Sequence, residues 1–177
     1  MMRTSLKAWC LVATLALAPC AMAAPSVQVG FSPEGSALQL VLNTLNDAQS
    51  SIRLMGYSFT SPEVAKALTN AKRRGVDVKV VLDAKGNQNK ASQAAMNLLV
   101  NAGIPVRTVD KFKIMHDKTI VCDSKTTEIG SFNFSRAADR SNSESIVVLR
   151  EMPAVAETYL AHWQSRWDIG KEWRSSY

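Results

Sequence analysis

Segments rich in β-branched residues alternate with amphipathic segments through residue 109, and this alternation strongly limits the fold. We predict strands at 27–31, 52–59, 76–82 and 106–109. Helices are predicted between them at 36–49, 60–75 and 91–102, where apolar residues recur at helical spacing or a capping box opens the segment. The order β-α-β-α-β-α-β predicts an α/β fold with a mixed, partly parallel β-sheet flanked by helices.

After residue 113 the pattern changes to short strands with short connections. We predict strands at 114–122, 127–132 and 145–149. A last helix begins at Pro153, and one apolar stripe along it is expected to dock on the sheet: Ala156, Leu160, Trp163 and Trp167. No long linker, low-complexity tract or internal repeat interrupts the sequence from 24 to 177, which we predict to be a single domain.

The first 23 residues are predicted to be a cleaved secretory signal sequence. Arg3 and Lys7 supply the positive start, residues 8–18 are apolar, and Ala21-Met22-Ala23 fits a cleavage site. An apolar stretch of 11 residues is shorter than the about 20 that a membrane span needs. We therefore expect a periplasmic or secreted protein with no stable membrane insertion after cleavage.

The charge balance points to anionic partners. Lys and Arg outnumber Asp and Glu by 21 to 15, a formal net charge of +6. This excess favours nucleic acid or phospholipid head groups. A hydrophobic content of 46% and a charged content of 20% are typical of globular proteins and exclude the disordered and collagen-like classes. The two histidines are His116 and His162, so any mechanism that uses histidine depends on them.

The segment from 116 to 133 carries the residues suited to chemistry. In a strand, side chains alternate between the two faces, so His116 and Lys118 would point one way and Asp123 the other. Ser131 and Asn133 would share a face of the next predicted strand. If the two strands are neighbours, these side chains supply a nucleophile, a fixed positive charge and two neutral hydrogen-bonding groups. Hydrolysis of a phosphodiester requires such a set.

The spacing His-x-Lys-x4-Asp-x6-Gly-Ser-x-Asn resembles the HKD motif of the phospholipase D superfamily. The matching residues are His116, Lys118, Asp123, Gly130, Ser131 and Asn133. With Asn142-Ser143-Glu144 downstream, a short chain and a leader, the sequence resembles the small single-motif bacterial endonucleases of the Nuc type. The resemblance covers most of the chain after residue 23 and implies a phospholipase D/nuclease-like fold.

The resemblance also implies a role for each matching residue. His116 would attack phosphorus and form a phosphohistidine, which water then hydrolyses. Lys118 and Asn133 would hold the phosphate oxygens, assisted by Ser131. Glu144 would accept a hydrogen bond from the ring of His116, which fixes its tautomer and raises its basicity. Structural roles fall to the two remaining motif positions, Asp123 and Gly130.

A single motif raises the question of the general acid. Two-motif members of this superfamily use two histidines, whereas His162 here is followed by Trp163-Gln164 and lies on the last predicted helix. The resemblance therefore implies a homodimer in which His116 of a second copy supplies the proton, at an isologous interface.

No cofactor or metal is expected, because Lys118 and Asn133 would provide what a cation provides. The alternative of a metal site would use His116, Asp117, Cys122 and Asp123, and alternation along a strand divides these between two faces. A Ser-His-Asp hydrolase is disfavoured because the sequence contains no Gly-x-Ser-x-Gly.

The function predicted is a metal-independent, non-specific endonuclease acting on DNA, with RNA as a further substrate. Lys111 and Lys113 lie just before the motif and are predicted to bind the polyanion. Two alternatives stay open: a phospholipase D that hydrolyses phospholipid head groups, and an inactive nucleic-acid-binding module. A phospholipase would need an exposed apolar site mouth, for which the sequence offers Phe112, Ile114 and Phe134.

Overall fold

The structure is a computed structural model that describes residues 23–175. The predicted signal sequence, apart from Ala23, and the last two residues lie outside the described part. The strands are β1 Ser26–Ser32, β2 Ser51–Gly56, β3 Asp77–Asp83, β4 Val106–Val109, β5 Lys118–Cys122, β6 Thr126–Gly130, β7 Glu144–Arg150 and β8 Lys171–Glu172. The helices are α1 Ser36–Asp47, α2 Pro62–Arg73, α3 Lys90–Asn101, α4 Arg136–Arg140 and α5 Pro153–Ile169.

The strands form one eight-stranded sheet in the order β1-β7-β6-β5-β2-β3-β4-β8. Strands β2, β3 and β4 are parallel, and the remaining pairs are antiparallel. The prediction of a mixed, partly parallel sheet flanked by helices is therefore confirmed. Among residues 23–175, no helix has both the length and the apolar character needed to cross a bilayer.

Local signals in the sequence account for the start of α2. The hydroxyl of Ser61 accepts a hydrogen bond from Val64 N at 3.3 Å and donates one to Glu63 Oε2 at 2.9 Å. Pro62 occupies the first helical position, where its missing N–H costs nothing. The helix is capped by Ser61, and Ser61 N donates to Phe134 O, so the predicted capping box of Thr60 with Glu63 three residues later is not formed.

The sheet buries a different apolar cluster on each face. Helices α1, α2 and α3 cover one face around residues such as Leu45, Leu54 and Leu68. Helix α5 covers part of the other face, where Met55 and Trp163 are buried. Leu54 and Met55 are adjacent in β2 and pack into the clusters on opposite faces of the sheet, as the alternation of side chains along a strand requires. Of the apolar stripe predicted on the last helix, Ala156 and Trp163 are buried and Trp167 packs against this second cluster, whereas Leu160 is half-buried.

Three of the predicted strands extend too far toward the site, namely those at 52–59, 114–122 and 127–132. Strand β5 begins at Lys118, so His116 lies in the loop before it, and β6 ends at Gly130. The partner strand β2 ends at Gly56, directly opposite Lys118, so the residues before Lys118 have no ladder to join on that side. The backbone N–H of Met115 instead donates to Asp83 Oδ2 at 2.7 Å. The prediction of a strand over 114–117 was wrong for this reason.

Candidate active site

Several residues of the motif lie at one end of the sheet. His116 precedes β5 and Ser131 follows β6, and because β5 and β6 are antiparallel neighbours, both lie at the same edge. An open cleft of about 420 Å³ lies there. Its lining consists of His116, Asp117, Lys118, Thr119, Ile129, Gly130, Val147 and Tyr159. Of the residues predicted to converge, His116 and Lys118 line this cleft although His116 is not on a strand, whereas Ser131 and Asn133 are not among its lining residues.

Lys118 places a buried positive charge in this cleft. Its Nζ donates a hydrogen bond to the carbonyl oxygen of His116 at 2.9 Å and lies 5.4 Å from the ring centroid of Tyr57. Burial lowers the pKa of Lys118, and the carboxylates of Glu144 and Asp117 offset only part of that effect. An ammonium group has three donors. Within the described residues two of them are left for an anionic group in the cleft.

The imidazole of His116 is accessible from the cleft. The residue is exposed, and its ring centroid lies 4.9 Å from that of Tyr57, with the two planes inclined at 60°. Its backbone is held by Lys118, which bonds to its carbonyl oxygen. An exposed ring on a fixed backbone can approach an electrophile from solvent.

Ser131 and Asn133 lie just beyond β6. Ser131 extends the contact with β7, since its N donates to Ser145 O at 3.0 Å and its hydroxyl accepts from Ser145 N at 3.1 Å. Asn133 is half-buried, and its Oδ1 atom has no hydrogen-bond partner among the described residues. A buried polar atom without a partner is costly unless a ligand satisfies it.

Glu144 begins β7 and contributes charge to the cleft. Its Oε1 accepts a hydrogen bond from Asn142 Nδ2 at 2.9 Å, and its carboxylate raises the pKa of Lys118. The hydrogen bond from the His116 ring to Glu144 stays a prediction.

Comparison with known proteins gives the family. The family described as "Cardiolipin synthase, PLD-like domain" matches residues 41–167. The crystal structure of a phospholipase D family member, Nuc from Salmonella typhimurium, is 56% identical, with a TM-score of 0.85 over 86% of this chain and all of that one. The chain belongs to the phospholipase D superfamily.

Relatives within the superfamily carry two kinds of name. "Phospholipase D" of Rickettsia conorii is 34% identical over 141 residues, which are 79% of this chain and 68% of that protein. "Mitochondrial cardiolipin hydrolase" of Mus musculus is 31% identical over 133 residues, 75% of this chain and 59% of that protein. The chain is thus a phospholipase D superfamily hydrolase that acts on phosphodiester bonds.

Asp123 of this phospholipase D superfamily member lies far from the cleft. It follows the C-terminal end of β5, five residues and about 17 Å at strand rise from Lys118. Its carboxylate accepts hydrogen bonds from the backbone N–H groups of Gln49, Ser50 and Ser51 at 2.8–2.9 Å. Burial raises the pKa of this carboxyl, but these hydrogen bonds outweigh it and lower the pKa. The contacts tie β5 to the start of β2 and support a structural role.

Gly130 allows a close approach between β6 and β7. A Cβ atom at this position would lie 2.8 Å from Ile146 Cα, closer than such atoms approach in proteins. The motif glycine is therefore needed for strand packing beside the cleft.

Three residues that support the site carry no motif signal. The ring of Tyr57 contacts His116, and Asp83, which is 1% exposed, accepts from Met115 N at 2.7 Å and Gly86 N at 2.6 Å. The side chain of Asn87 donates to Tyr57 O at 2.7 Å and accepts from Phe59 N at 2.9 Å. Tyr57 and Asp83 stand at the carboxyl ends of parallel strands β2 and β3, a position typical of functional sites in α/β sheets. This position at the end of a parallel strand is the sequence signal from which Tyr57 and Asp83 could have been predicted as site residues.

The predicted phosphate-binding lysines lie in the loop before the site. Lys111 and Lys113 are exposed, and neither lines the cleft. Lys85 Nζ donates to the carbonyl oxygens of Phe112 and Lys113 at 3.3 Å each and so supports this loop.

The groups considered for a metal site are not brought together. Cys122 lies at the far end of β5 from His116 and contacts Thr44 O at 3.6 Å. Burial raises the pKa of the Cys122 thiol well above its ordinary value. Across residues 23–175, no group of three His, Cys, Asp or Glu side chains is arranged to hold an ion.

Proposed function

We propose that this hydrolase is a non-specific endonuclease that cleaves DNA, and RNA as a further substrate, without a metal ion. The observation that carries the proposal is the buried ammonium of Lys118 beside the exposed imidazole of His116 in an open cleft. A buried charge with free donors favours an anionic group, and the imidazole beside it is a nucleophile for phosphorus. The two together fit a phosphodiester.

The reaction we propose has two displacement steps. A ring nitrogen of His116 attacks phosphorus, a P–N bond forms, and the P–O bond to the leaving oxygen breaks as the partner subunit's His116 gives that oxygen a proton. Water then attacks phosphorus, the P–N bond breaks, and the water proton passes to the partner subunit's His116. Lys118 and Asn133 donate to the non-bridging oxygens, where charge develops. The products are a phosphomonoester and an alcohol.

An exposed apolar sheet face supports the homodimer that this scheme requires. Val27, Val29 and Phe31 on the edge strand β1 are 57%, 59% and 51% exposed. Val29 pairs with Val147 of β7, which pairs with Ile129 of β6. Both of these partners line the cleft, so the apolar face continues into the site. A second copy on a two-fold axis would cover this face and bring the two clefts together.

The surroundings of the cleft favour nucleic acid over lipid. Lys111 and Lys113 present two exposed positive charges on the loop that leads to His116. Of the apolar residues predicted to form a lipid-binding mouth, Phe134 is fully buried and Phe112 packs against the cluster under α5. Ile114 is 47% exposed. Phospholipase D activity is the second candidate, because the relatives named above carry phospholipase and cardiolipin hydrolase names.

A direct competition separates the two substrates. Wild-type protein and the His116→Asn variant are given plasmid DNA and phosphatidylcholine vesicles side by side in excess chelator. We expect cleavage of DNA, no head-group release, and a loss of more than about 10³-fold in kcat for His116→Asn with DNA affinity retained. A phosphorylated intermediate trapped with a labelled diester should carry its label on His116.

Three outcomes would contradict the proposal. Faster hydrolysis of phosphatidylcholine than of DNA would make the protein a phospholipase. Activity that vanishes in chelator and returns with zinc or magnesium would require a metal. Full activity in His116→Asn, or a label on another side chain, would remove His116 from the role of nucleophile.

We also propose export to the periplasm or the medium, on the basis of the signal-like residues 1–23. Fractionation of expressing cells, followed by N-terminal sequencing, tests this. Mature protein that starts at Ala24 outside the cytoplasm is expected, and uncleaved protein in the cytoplasm would contradict it.

A further inference from the structure

We propose that Tyr57 is a positioning residue of this site: its ring, seated on the backbone of Gly86, holds the imidazole of His116 and the ammonium of Lys118 in place. The proposal rests on the phosphodiesterase chemistry proposed above. It adds the residue that follows β2 and a glycine from the β3–α3 connection to a site otherwise built from the motif.

The ring of Tyr57 contacts both the imidazole of His116 and the ammonium of Lys118. Strand β2 ends at Gly56, which pairs with Lys118, and Tyr57 is the next residue. Its ring centroid lies 4.9 Å from the His116 ring and 5.4 Å from Lys118 Nζ. One half-buried aromatic side chain thus touches the proposed nucleophile and the proposed phosphate-binding group.

Gly86 fixes the position of that ring. The φ angle of Gly86 is not in the left-handed region, so its backbone conformation does not demand glycine. A Cβ atom at this position would lie 2.7 Å from Tyr57 O, 2.9 Å from Cε2 and 3.1 Å from Cδ2. Glycine is therefore needed for contact with Tyr57. Hydrogen bonds from Gly86 N to Asp83 at 2.6 Å and from Asn87 to Tyr57 O at 2.7 Å hold both residues where they meet.

The ring can act on each neighbour in a defined way. Against His116, it blocks rotations of the imidazole that would turn the nucleophile away from phosphorus. Toward Lys118, its π face stabilises the charged form of a buried ammonium. Since burial lowers the pKa of Lys118, loss of the ring should lower it further.

Four variants of the full chain test the proposal: Tyr57→Leu, Tyr57→Phe, Gly86→Ala and the double variant Gly86→Ala/Tyr57→Leu. The assay is hydrolysis of bis(p-nitrophenyl) phosphate, which reports on diester cleavage whether the natural substrate is DNA or lipid. Tyr57→Leu should lower kcat by about 10- to 100-fold with little change in KM. The alkaline limb of its kcat profile should move to lower pH. Tyr57→Phe, which keeps the ring, should retain most of the activity.

The Gly86→Ala variant distinguishes a loss of activity caused by displacement of the Tyr57 ring from one caused by destabilisation of the fold. Gly86→Ala should lower kcat in the same way as Tyr57→Leu, because the added methyl displaces the ring. In the Tyr57→Leu background the same methyl should cost little further, since the two changes act through one contact. Thermal unfolding midpoints identify any variant that is not folded at the assay temperature, and Tyr57→Met then replaces Tyr57→Leu.

Each outcome is decisive. Unchanged kcat and an unchanged alkaline limb in Tyr57→Leu would overturn the proposal, as would fully multiplicative losses in the double variant. Equal losses in Tyr57→Phe and Tyr57→Leu would place the effect on the hydroxyl and also overturn it. The proposed chemistry itself fails separately, if His116→Asn hydrolyses the same diester as fast as the wild type.

Discussion

His162 Nε2 lies 3.0 Å from Oδ1 of Asp117, the residue between His116 and Lys118. This contact joins α5 to the motif, at a point where the chain has not yet entered β5. The second histidine of the chain is therefore engaged through Nε2 with a carboxylate of the motif segment. Its place supports a structural role for His162.

We predict that the His162→Gln variant keeps kcat within about 5-fold of the wild type. The pair is roughly one third exposed on the histidine side, and such pairs contribute at most about 1 kcal/mol. The measurement is kcat on plasmid DNA for His162→Gln and, as a reference, His116→Asn. A loss in His162→Gln as large as in His116→Asn would make His162 the general acid and remove the need for a second subunit.

The motif located the site, but the sequence did not show how the site is built. The spacing from His116 to Asn133 was enough to predict the site because these residues flank two adjacent antiparallel strands, β5 and β6. The start of β5 at Lys118 could not be predicted, because it depends on where β2 stops, at Gly56. The strand propensity of residues 114–117 carries no information about the end of β2, which lies about 60 residues earlier in the sequence.

The supporting residues escaped prediction for the same reason. Tyr57 and Asp83 act through side-chain contacts with the 115–118 segment, and neither lies at a fixed spacing from the motif. Strand β8 has two residues, and it forms because Trp173 N donates to Val106 O at 2.9 Å beside it. Contacts of this kind between distant segments carry no local pattern.

The apolar face on β1 should be the dimer interface, and a charge placed there should break it. In Phe31→Asp, an aspartate would have to be buried without a partner, which costs several kcal/mol at an interface. We expect monomers by sedimentation and a fall of more than about 10-fold in kcat. The matched control is Leu98→Asp on α3, where a leucine is 50% exposed away from this face. A dimeric and active Phe31→Asp protein would place the interface elsewhere.

Lys111 and Lys113 should bind phosphates of the substrate backbone. Replacing either lysine with glutamine should weaken DNA binding equally for all sequences and reduce the slope of log K against log salt by about 1. The measurement is DNA affinity of a His116→Asn background over a series of salt concentrations. Lys66→Gln, an exposed lysine on α2, is the control of equal charge change. If the slopes of log K against log salt do not differ between Lys113→Gln and Lys66→Gln, the loop with Lys111 and Lys113 does not bind the DNA backbone.

Asp123 should stabilise the fold and not the reaction. The Asp123→Asn variant exchanges a carboxylate that accepts four hydrogen bonds for an amide, and we expect a loss of about 2–3 kcal/mol in the free energy of unfolding at pH 7. Since the folded-state pKa of Asp123 is lowered, its stabilisation is present above the ordinary value of 3.8 and disappears as pH falls through the folded pKa. Urea unfolding measures this, with Asp110→Asn as an exposed control. A fall in kcat of the folded variant comparable to that of His116→Asn would contradict the structural role.

Glu128 should make the protein less stable as pH rises toward 8. The side chain is fully buried in β6 between Ile120 and Val148, and neither carboxyl oxygen has a hydrogen-bond partner within residues 23–175. Burial raises its pKa from 4.5 to about 8. Between these values the folded protein keeps a proton that the unfolded chain has lost, so the free energy of unfolding falls with rising pH, by up to a few kcal/mol.

The Glu128→Gln variant removes this titration at nearly constant volume. We expect its unfolding free energy to change less between pH 5 and pH 8 than that of the wild type, and the two curves to diverge in favour of the variant toward pH 8. Urea unfolding at four pH values measures the difference, and Glu157→Gln, on the exposed side of α5, controls for the loss of a carboxylate. Parallel curves for wild type and Glu128→Gln would mean that Glu128 ionises as easily in the folded protein as in the unfolded chain.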